Sequence, residues 1–569
     1  MQVLKGIPAS KGIAIGPGFI YRANEATPVR RQIPDPQAEL ERFRSACKRA
    51  IMDLREVYEE AVKSVGQEAA EIFQAHQMML EDPELIQGVE DAILNERVVA
   101  DYAMYEAGET NARVMESLED PYFRARAADV RDVARRVQRI LQGRSGGDVN
   151  LSQPSIILAE DLAPSDTMQF KRSLILGFFT ARGGTTSHAA ILSKAMGIPA
   201  VVGAGQLPQA LKNTSLLILD GDQGELVIDP DEETLAQYHA QQVQQQDRAR
   251  QEISSAHQPA ITRDGRKVEV VANIGNLRDA EDAVASGAEG VGLLRTEFSY
   301  IEQNVVPDEK TLIEAYEGIF STFGDYPVVV RTLDIGGDKE MPHLQLPVES
   351  NPFLGSRGIR LCFERPDLFI PQLRAILRAG VKTRLCIMFP MVAVADEVRR
   401  AKGILKECMQ ALASEGLAFN HHPQVGIMVE VPSAALCADQ LAKEVDFFSI
   451  GTNDLTQYTL AADRTNSSVA HLVSALQPAI LRLIRSVIEA GHAAGIWVGM
   501  CGEMAGDETA IPILLGLGLD EFSMTPPLIP AAKEIIRQWD TGQAKRLAEQ
   551  ALACETPGEV KKLVAEWRG

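Results

Sequence analysis

Residues 182–199, RGGTTSHAAILSKAMGIP, place a histidine behind a Gly-Gly turn and three hydroxyl side chains. His188 opens a short segment whose apolar stripe is read as Ile191, Leu192 and Ala195, and which stops at Gly197 and Pro199, the pattern of a helix with its terminal signals in place. The first turn of a helix carries free backbone N–H groups and the positive end of the dipole, so an anion held on or near the imidazole is stabilised there. Thr185, Thr186 and Ser187 can donate to the same anion. These residue types fit a transient phosphohistidine: an imidazole nucleophile within a polarised collar. The plainer alternative is a capping histidine without chemistry, but of the nine histidines no other follows such a start.

A second group lies beyond residue 261, at the ends of short apolar runs. Arg295 follows GVGLL, and Arg331 and Asp334 follow PVVV, with Lys339 shortly after. Glu430 follows VGIMV, Asn453 and Asp454 follow FFSIGT with Arg464 a little further on, and Cys501 follows IWVGM. Three arginines and a lysine can grip a phosphate or carboxylate, the guanidinium fork adding orientation to charge. Glu430 and Asp454 are hard oxygen ligands of the kind Mg²⁺ takes, one or two carboxylates together with phosphate and water. Together they imply a phosphorylated small molecule that also bears a carboxylate. Cys501 could give a proton to a bound enolate, its pKa being expected in a workable range near neutrality; a buried apolar cysteine is the alternative. For the arginines, the alternative is pairing with neighbours such as Glu297 or Asp334 to tie a rim together.

Such residues act together only if a scaffold brings them to one place. The runs VEVVANI, GVGLL, PVVVRTL, RLCIMFPMV, VGIMVEV, DFFSIG, IWVGM and DEFSM alternate with helical stretches. About eight strand–helix units in about 300 residues is the size of a (β/α)8 TIM barrel, whose active face is built from strand C-terminal ends. Around His188, short apolar runs from 155 to 230, with β-like sequence at 1–22, read as an α/β domain. Residues 35–143, rich in Ala, Glu, Arg, Met and Leu with few glycines, read as an inserted helical bundle, with Ala70, Phe73, Gln77, Met78 and Leu80 at helical spacing before a break at Asp82-Pro83. The expected fold is multidomain α/β: residues 1–230 an α/β phosphohistidine domain with the 35–143 insertion, 231–260 a linker helix, and 261–569 the barrel.

Composition narrows the function further. In 569 residues, 57 Lys and Arg against 78 Asp and Glu leave a net charge of −21, which disfavours nucleic acid and anionic membrane as partners. The seven cysteines form no CxxC pair, suiting reduced thiols, and no run of 18 apolar residues or signal-peptide pattern is seen. The expectation is a cytoplasmic protein without membrane insertion.

Ordered motifs along nearly the whole chain resemble Enzyme I of the phosphoenolpyruvate-dependent sugar phosphotransferase system. They are MLEDPEL and AADVRD in the helical region, GGTTSHAAI around His188, and GLLRTEF, RTLDIGGDK, NPFLGSRGIR, MVEVPSA, GTNDLTQY and CGEMAGD in the barrel. The resemblance implies that His188 takes the phosphoryl group of phosphoenolpyruvate and passes it to a histidine of the phosphocarrier HPr or a relative. It implies that Arg295, Arg331 and Arg464 bind phosphoenolpyruvate with Asn453 beside them, that Lys339 and Arg357 assist, that Glu430 and Asp454 hold Mg²⁺, and that Cys501 protonates the enolate to pyruvate. It further implies a homodimer formed through the barrel and a carrier-docking insert, whose Glu68, Glu71, Glu81, Asp82 and Glu84 would face a basic partner. Thr185 and Lys194 stand where sugar-branch members often carry Arg, which leaves open the branch and the carrier.

A nucleotide-dependent dikinase or synthase relative would need an additional nucleotide-binding domain, and no Gly-rich phosphate loop precedes the histidine motif. A non-catalytic sensor of phosphoenolpyruvate would lack a reactive residue, whereas His188, Glu430, Asp454 and Cys501 are all present.

Overall fold

The computed structural model describes the chain except for residues 22–27, 66, 118–120, 144–150, 152, 163–169, 185–186, 206, 208–214, 302–305, 337–343, 345–348, 465, 467–468, 470–471 and 569. The chain divides into two units, Met1–Asp247 and Arg248–Gly569.

The first unit is a mixed eight-stranded sheet interrupted by helices. Strands β1 (Gln2–Lys5), β2 (Ile7–Ser10) and β3 (Ile13–Tyr21) are followed by helices α1 (Pro36–Val65), α2 (Gln67–Leu80), α3 (Pro83–Asn95), α4 (Ala100–Ser117) and α5 (Pro121–Leu141). The chain then returns with β4 (Ser155–Ala159), which pairs parallel to β3, so the helical block interrupts one sheet. Strand β5 (Ile175–Thr180), helix α6 (His188–Met196) and strands β6 (Ala200–Val202), β7 (Leu216–Asp220) and β8 (Glu225–Ile228) complete it, in the order β1-β8-β7-β3-β4-β5-β6-β2. The turn at Asp82-Pro83 is built as its residues require: Asp82 is extended and its carboxylate accepts the N–H groups of Glu84 and Leu85, while Pro83 starts α3.

Two packing expectations differ from the structure. In α2, Phe73 and Leu80 are buried but Met78 is 72% exposed, and His76 takes the interior. In α6, Ala189, Ala190 and Leu192 face the core while Ile191 is exposed. A short helix this rich in apolar residues offers more than one stripe, so periodicity alone does not select the inward face. Helix α7 (Glu232–Ser255) follows; the division between the two units falls within it.

The second unit is a closed barrel. After β9 (Ala260–Ile261) come β10 (Lys267–Ile274), β11 (Val291–Arg295), β12 (Pro327–Arg331), β13 (Arg384–Phe389), β14 (Gln424–Val429), β15 (Phe447–Ile450), β16 (Trp497–Met500) and β17 (Glu521–Met524). All eight strands from β10 to β17 pair parallel with the next, and β17 pairs back to β10. Leu293, Val329, Cys386, Met388, Met428, Phe447 and Cys501 form one buried cluster inside the ring. Val328, Val330, Ile427 and Val429 belong to the separate core between strands and helices. The two-residue strand period therefore sorts the functional side chains: Arg295 follows Leu293 by two, Arg331 follows Val329, and Glu430 follows Met428, so each continues the inward-facing row at the C-terminal end.

Candidate active site

At the barrel mouth, Arg331 is buried and pairs with Glu297 and, at 3.1 Å, with Asp334. Burial works against its charge, but Glu297, Asp334 and Glu430 more than offset this and keep the guanidinium protonated. Arg357, also buried, lies 3.1 Å from Asp334 and 3.1 Å from Asp454. Its Nη1 donates to the Tyr458 hydroxyl at 3.2 Å. The backbone here needs glycine: Gly358 has φ +58°, and a Cβ on it would come within 2.9 Å of Met391. The pairing of arginines with nearby acids, the plainer alternative in the sequence, is thus real for Arg331, whose partners are Glu297 and Asp334.

Glu430 is 1% exposed and accepts the Met391 N–H at 2.6 Å. Burial pushes its carboxyl up to about 8, and the charge of Asp454 adds to this. Two buried carboxylates crowding one another are a donor set that a hard divalent cation would relieve, and their number is what Mg²⁺ takes from protein when phosphate and water supply the rest. Among the described residues no cluster of three or more His, Cys, Asp or Glu forms a complete cage, so the pair fits Mg²⁺ only as a partial site shared with substrate.

Cys501 is 5% exposed within the inner cluster. Its thiol differs from expectation: burial pushes it up to about 11, well away from neutrality. At neutral pH it is a protonated acid, not a thiolate. Asn453 and Glu503 bind reciprocally, the Asn453 amide donating to the Glu503 carboxylate at 3.0 Å and the Glu503 N–H to the Asn453 oxygen at 3.2 Å. Arg295 stands half-buried at the end of β11, and Arg464 is exposed, its N–H bound to the Gln457 side chain at 3.2 Å. Lys339 lies outside the described residues. The structure therefore joins Arg331, Arg357, Glu430 and Asp454 in one charged network and leaves Arg295 and Arg464 outside its described ion pairs.

In the first unit, His188 begins α6 with Ser187 as its extended N-cap residue. Gly183, at φ +95°, lies where a Cβ would come within 3.0 Å of the Ser187 hydroxyl, which is buried without a hydrogen-bond partner among the described residues. Thr185 and Thr186 lie outside the described residues, and Lys194 is exposed. The imidazole's main neighbour comes from the helical block: His188 Nε2 is 3.8 Å from Asp129 of α5. Asp129 is also 3.6 Å from His76 and 3.0 Å from Arg126, and His76 is 3.8 Å from Asp132. Burial lowers the His188 pKa and Asp129 opposes this. Sequence reasoning singled out AADVRD but gave Asp129 and Asp132 no role; the available signal was an acidic pair three residues apart on an otherwise apolar helical face. Of the acidic docking residues, Glu81, Asp82 and Glu84 are exposed, whereas the side chains of Glu68 and Glu71 lie outside the description.

With the geometry in place, comparison with known proteins gives a consistent result. Residues 249–541 match the PEP-utilising enzyme family's PEP-binding domain, 5–126 its N-terminal domain and 151–224 its mobile domain. The chain is 47% identical over 570 residues to a phosphoenolpyruvate-protein phosphotransferase of Bacillus sp. (strain S), covering 99% of this chain and 98% of that one. To the phosphoenolpyruvate-protein phosphotransferase of Bacillus subtilis (strain 168) it is 46% identical over 567 residues, covering 100% of both. Among solved structures, the NMR solution structure of an Enzyme I protein (nEIt) is 41% identical with TM-score 0.37, covering 43% of this chain and 99% of that one. No described helix is long and apolar enough to cross a membrane.

Proposed function

This chain belongs to the phosphoenolpyruvate-protein phosphotransferases of the PEP-utilising enzyme family, and from that premise we propose that it phosphorylates its own His188 and passes the phosphoryl group to a histidine of HPr or a related carrier, releasing pyruvate. It is a transferase acting with phosphoenolpyruvate. The finer reading is the first step of sugar transport by a cytoplasmic homodimer. Its domains are those of the sequence reading: residues 1–230 carry the nucleophile, 35–143 dock the carrier, 231–260 link, and 261–569 bind phosphoenolpyruvate and dimerise.

The observation that carries this reading is the convergence of Arg331 and Glu430, at the C-terminal ends of barrel strands, with Arg357 and Asp454 from the segments that follow strands of the same face, and with buried Cys501 in the inner cluster. Arg331 and Arg357 grip the phosphate and carboxylate of the donor, with Arg295, Arg464, Asn453 and Lys339 completing the mouth. Glu430 and Asp454 would hold Mg²⁺, which when bound supplies charge neutralisation to the phosphate and carboxylate. The neutral imidazole of His188 attacks phosphorus, the bond from phosphorus to the enol oxygen breaks with its electron pair left on that oxygen, and Cys501, kept protonated by burial, delivers a proton to the methylene carbon of the departing pyruvate enolate. In this reading the His188 imidazole meets the donor at the barrel mouth and the carrier afterwards.

Radiolabelled phosphoenolpyruvate tests the assignment. Wild-type protein is expected to take up label and His188→Ala none, while a variant labelled to the wild-type extent would refute the nucleophile. Pyruvate release should become catalytic only when a phosphocarrier is added.

A further inference from the structure

At the barrel mouth, one of the two carboxylates proposed for the metal already holds a cation supplied by the protein. Asp454 lies in the first turn of the helix Thr452–Leu460, and Tyr458 stands one turn later on the same face. Arg357 Nη1 reaches both, at 3.1 Å from Asp454 Oδ1 and 3.2 Å from the Tyr458 hydroxyl. Its other edge is held by Asp334 through Nη2 at 3.1 and 3.3 Å and Nε at 3.4 Å. The Phe353 ring covers the guanidinium at 6.0 Å, and Tyr458 binds the Phe353 carbonyl. Glu430 is close enough to feel the charge of Arg357. Among the described residues, the guanidinium is thus surrounded by Asp334, Asp454, Tyr458 and Phe353, and Asp454 is a carboxylate proposed for the metal.

Resting on the reading given under Proposed function, we infer that Arg357 is the resting counter-cation of the Glu430–Asp454 pair, and that it competes with the divalent cation for Asp454 until a phosphate-bearing substrate draws it away. A monovalent guanidinium and a divalent ion sharing one carboxylate repel each other strongly in a buried site. Metal alone must therefore displace Arg357 from Asp454, at a cost. A substrate phosphate offers Arg357 a new bidentate partner and frees the carboxylate, so substrate tightens metal binding, and by linkage metal tightens substrate binding by the same factor. The arrangement disfavours loading of the site with metal when no donor is present.

The test measures Mn²⁺ binding to the full chain by electron paramagnetic resonance, with and without phosphoenolpyruvate. In wild-type protein, phosphoenolpyruvate should strengthen Mn²⁺ binding on the order of tenfold. In substrate-free Arg357→Gln, Mn²⁺ should bind on the order of tenfold more tightly than in substrate-free wild type, and Arg357→Lys, which keeps the charge, should stay near wild type. A residue that served only to bind substrate would leave metal affinity without substrate unchanged, and that result, or weaker binding, would overturn the inference. Since Arg357→Gln leaves Asp334 without this partner and could fail to fold, a second measurement uses wild type: saturating Mn²⁺ alone should raise modification of Arg357 by phenylglyoxal severalfold, mapped by peptide mass spectrometry. Unchanged protection of Arg357 would also overturn it. If wild type binds no Mn²⁺ even with phosphoenolpyruvate, the assignment of the metal pair fails, which is a separate outcome.

Discussion

His188 Nε2 faces Asp129 across 3.8 Å, placing a buried carboxylate from the helical block opposite the nitrogen atom of the proposed nucleophile. Asp129 is itself held below the ordinary carboxylate range: burial pushes it up, but the closeness of His76 and the charge of His188 push it down further. Within this unit, the carboxylate favours the protonated imidazole while burial favours the neutral one, and burial is the stronger. Asp129→Asn removes the favourable charge and should lower the His188 pKa further, extending the neutral, nucleophilic form to more acid pH. Titration of the His188 ring followed by NMR should show this downward movement, and an unchanged or raised value would mean that the contact is not electrostatically coupled.

Cys501→Ser separates proton delivery from phosphoryl transfer. The thiol is pushed up to about 11, so it remains an acid through the physiological range, and an alcohol is a weaker acid still. Steady-state pyruvate formation should fall by on the order of 10²-fold or more, while a single turnover should still label His188. Wild-type activity should show no loss from thiol ionisation until pH approaches that value. An alkaline limb near pH 8 to 9 that disappears in Cys501→Ser would contradict the buried-acid assignment.

Much of this mouth was legible in the sequence, because strand parity is a local property. Once PVVVR and VGLLR are strands ending at Arg331 and Arg295, the period of two turns both arginines inward whatever the rest of the chain does. The helical block showed itself by composition, and its Asp82-Pro83 break by the chemistry of the cap. What the sequence did not disclose depends on contacts far apart along the chain. The approach of Asp129 to His188 spans two elements of the fold, Arg357 meets Asp454 across 97 positions, and the acidity of Cys501 is set by burial that no motif records.

Gln372 shows how such a long-range contact could govern the site. It lies fully buried in the helix Pro366–Ala379 and accepts the Leu333 N–H at 2.9 Å while donating to the Thr296 hydroxyl at 2.9 Å. Thr296 in turn donates to the Arg331 carbonyl at 2.9 Å, so one amide ties together the strand ends that follow Arg295 and Arg331. Gln372→Leu keeps most of the volume but strands a buried N–H, at a cost of about 1–3 kcal/mol. The melting temperature should fall, and among molecules still folded the KM for phosphoenolpyruvate should rise more than kcat falls. A variant with lowered stability but unchanged KM would show that the tie serves only the fold.

At the opposite end of the barrel, Glu521 gives a pH dependence that owes nothing to catalysis. It begins β17, pairs in register with Glu269 of β10 and Gly499 of β16, and is 2% exposed. A Cβ at Gly499 would lie 2.8 Å from its Oε1, an atom with no hydrogen-bond partner among the described residues. Burial, reinforced by Glu269 and Asp520, raises its carboxyl from 4.5 to about 8. Between those values the folded chain holds a proton that the unfolded chain has released, so the folded state binds more protons and stability falls as pH rises through the window. Glu521→Gln removes that dependence without emptying the site. The variant should melt several degrees above wild type at pH 8, with the difference closing towards pH 5, as followed by differential scanning calorimetry. A difference that stayed constant with pH, or grew towards acid, would show that Glu521 is ionised in the folded barrel.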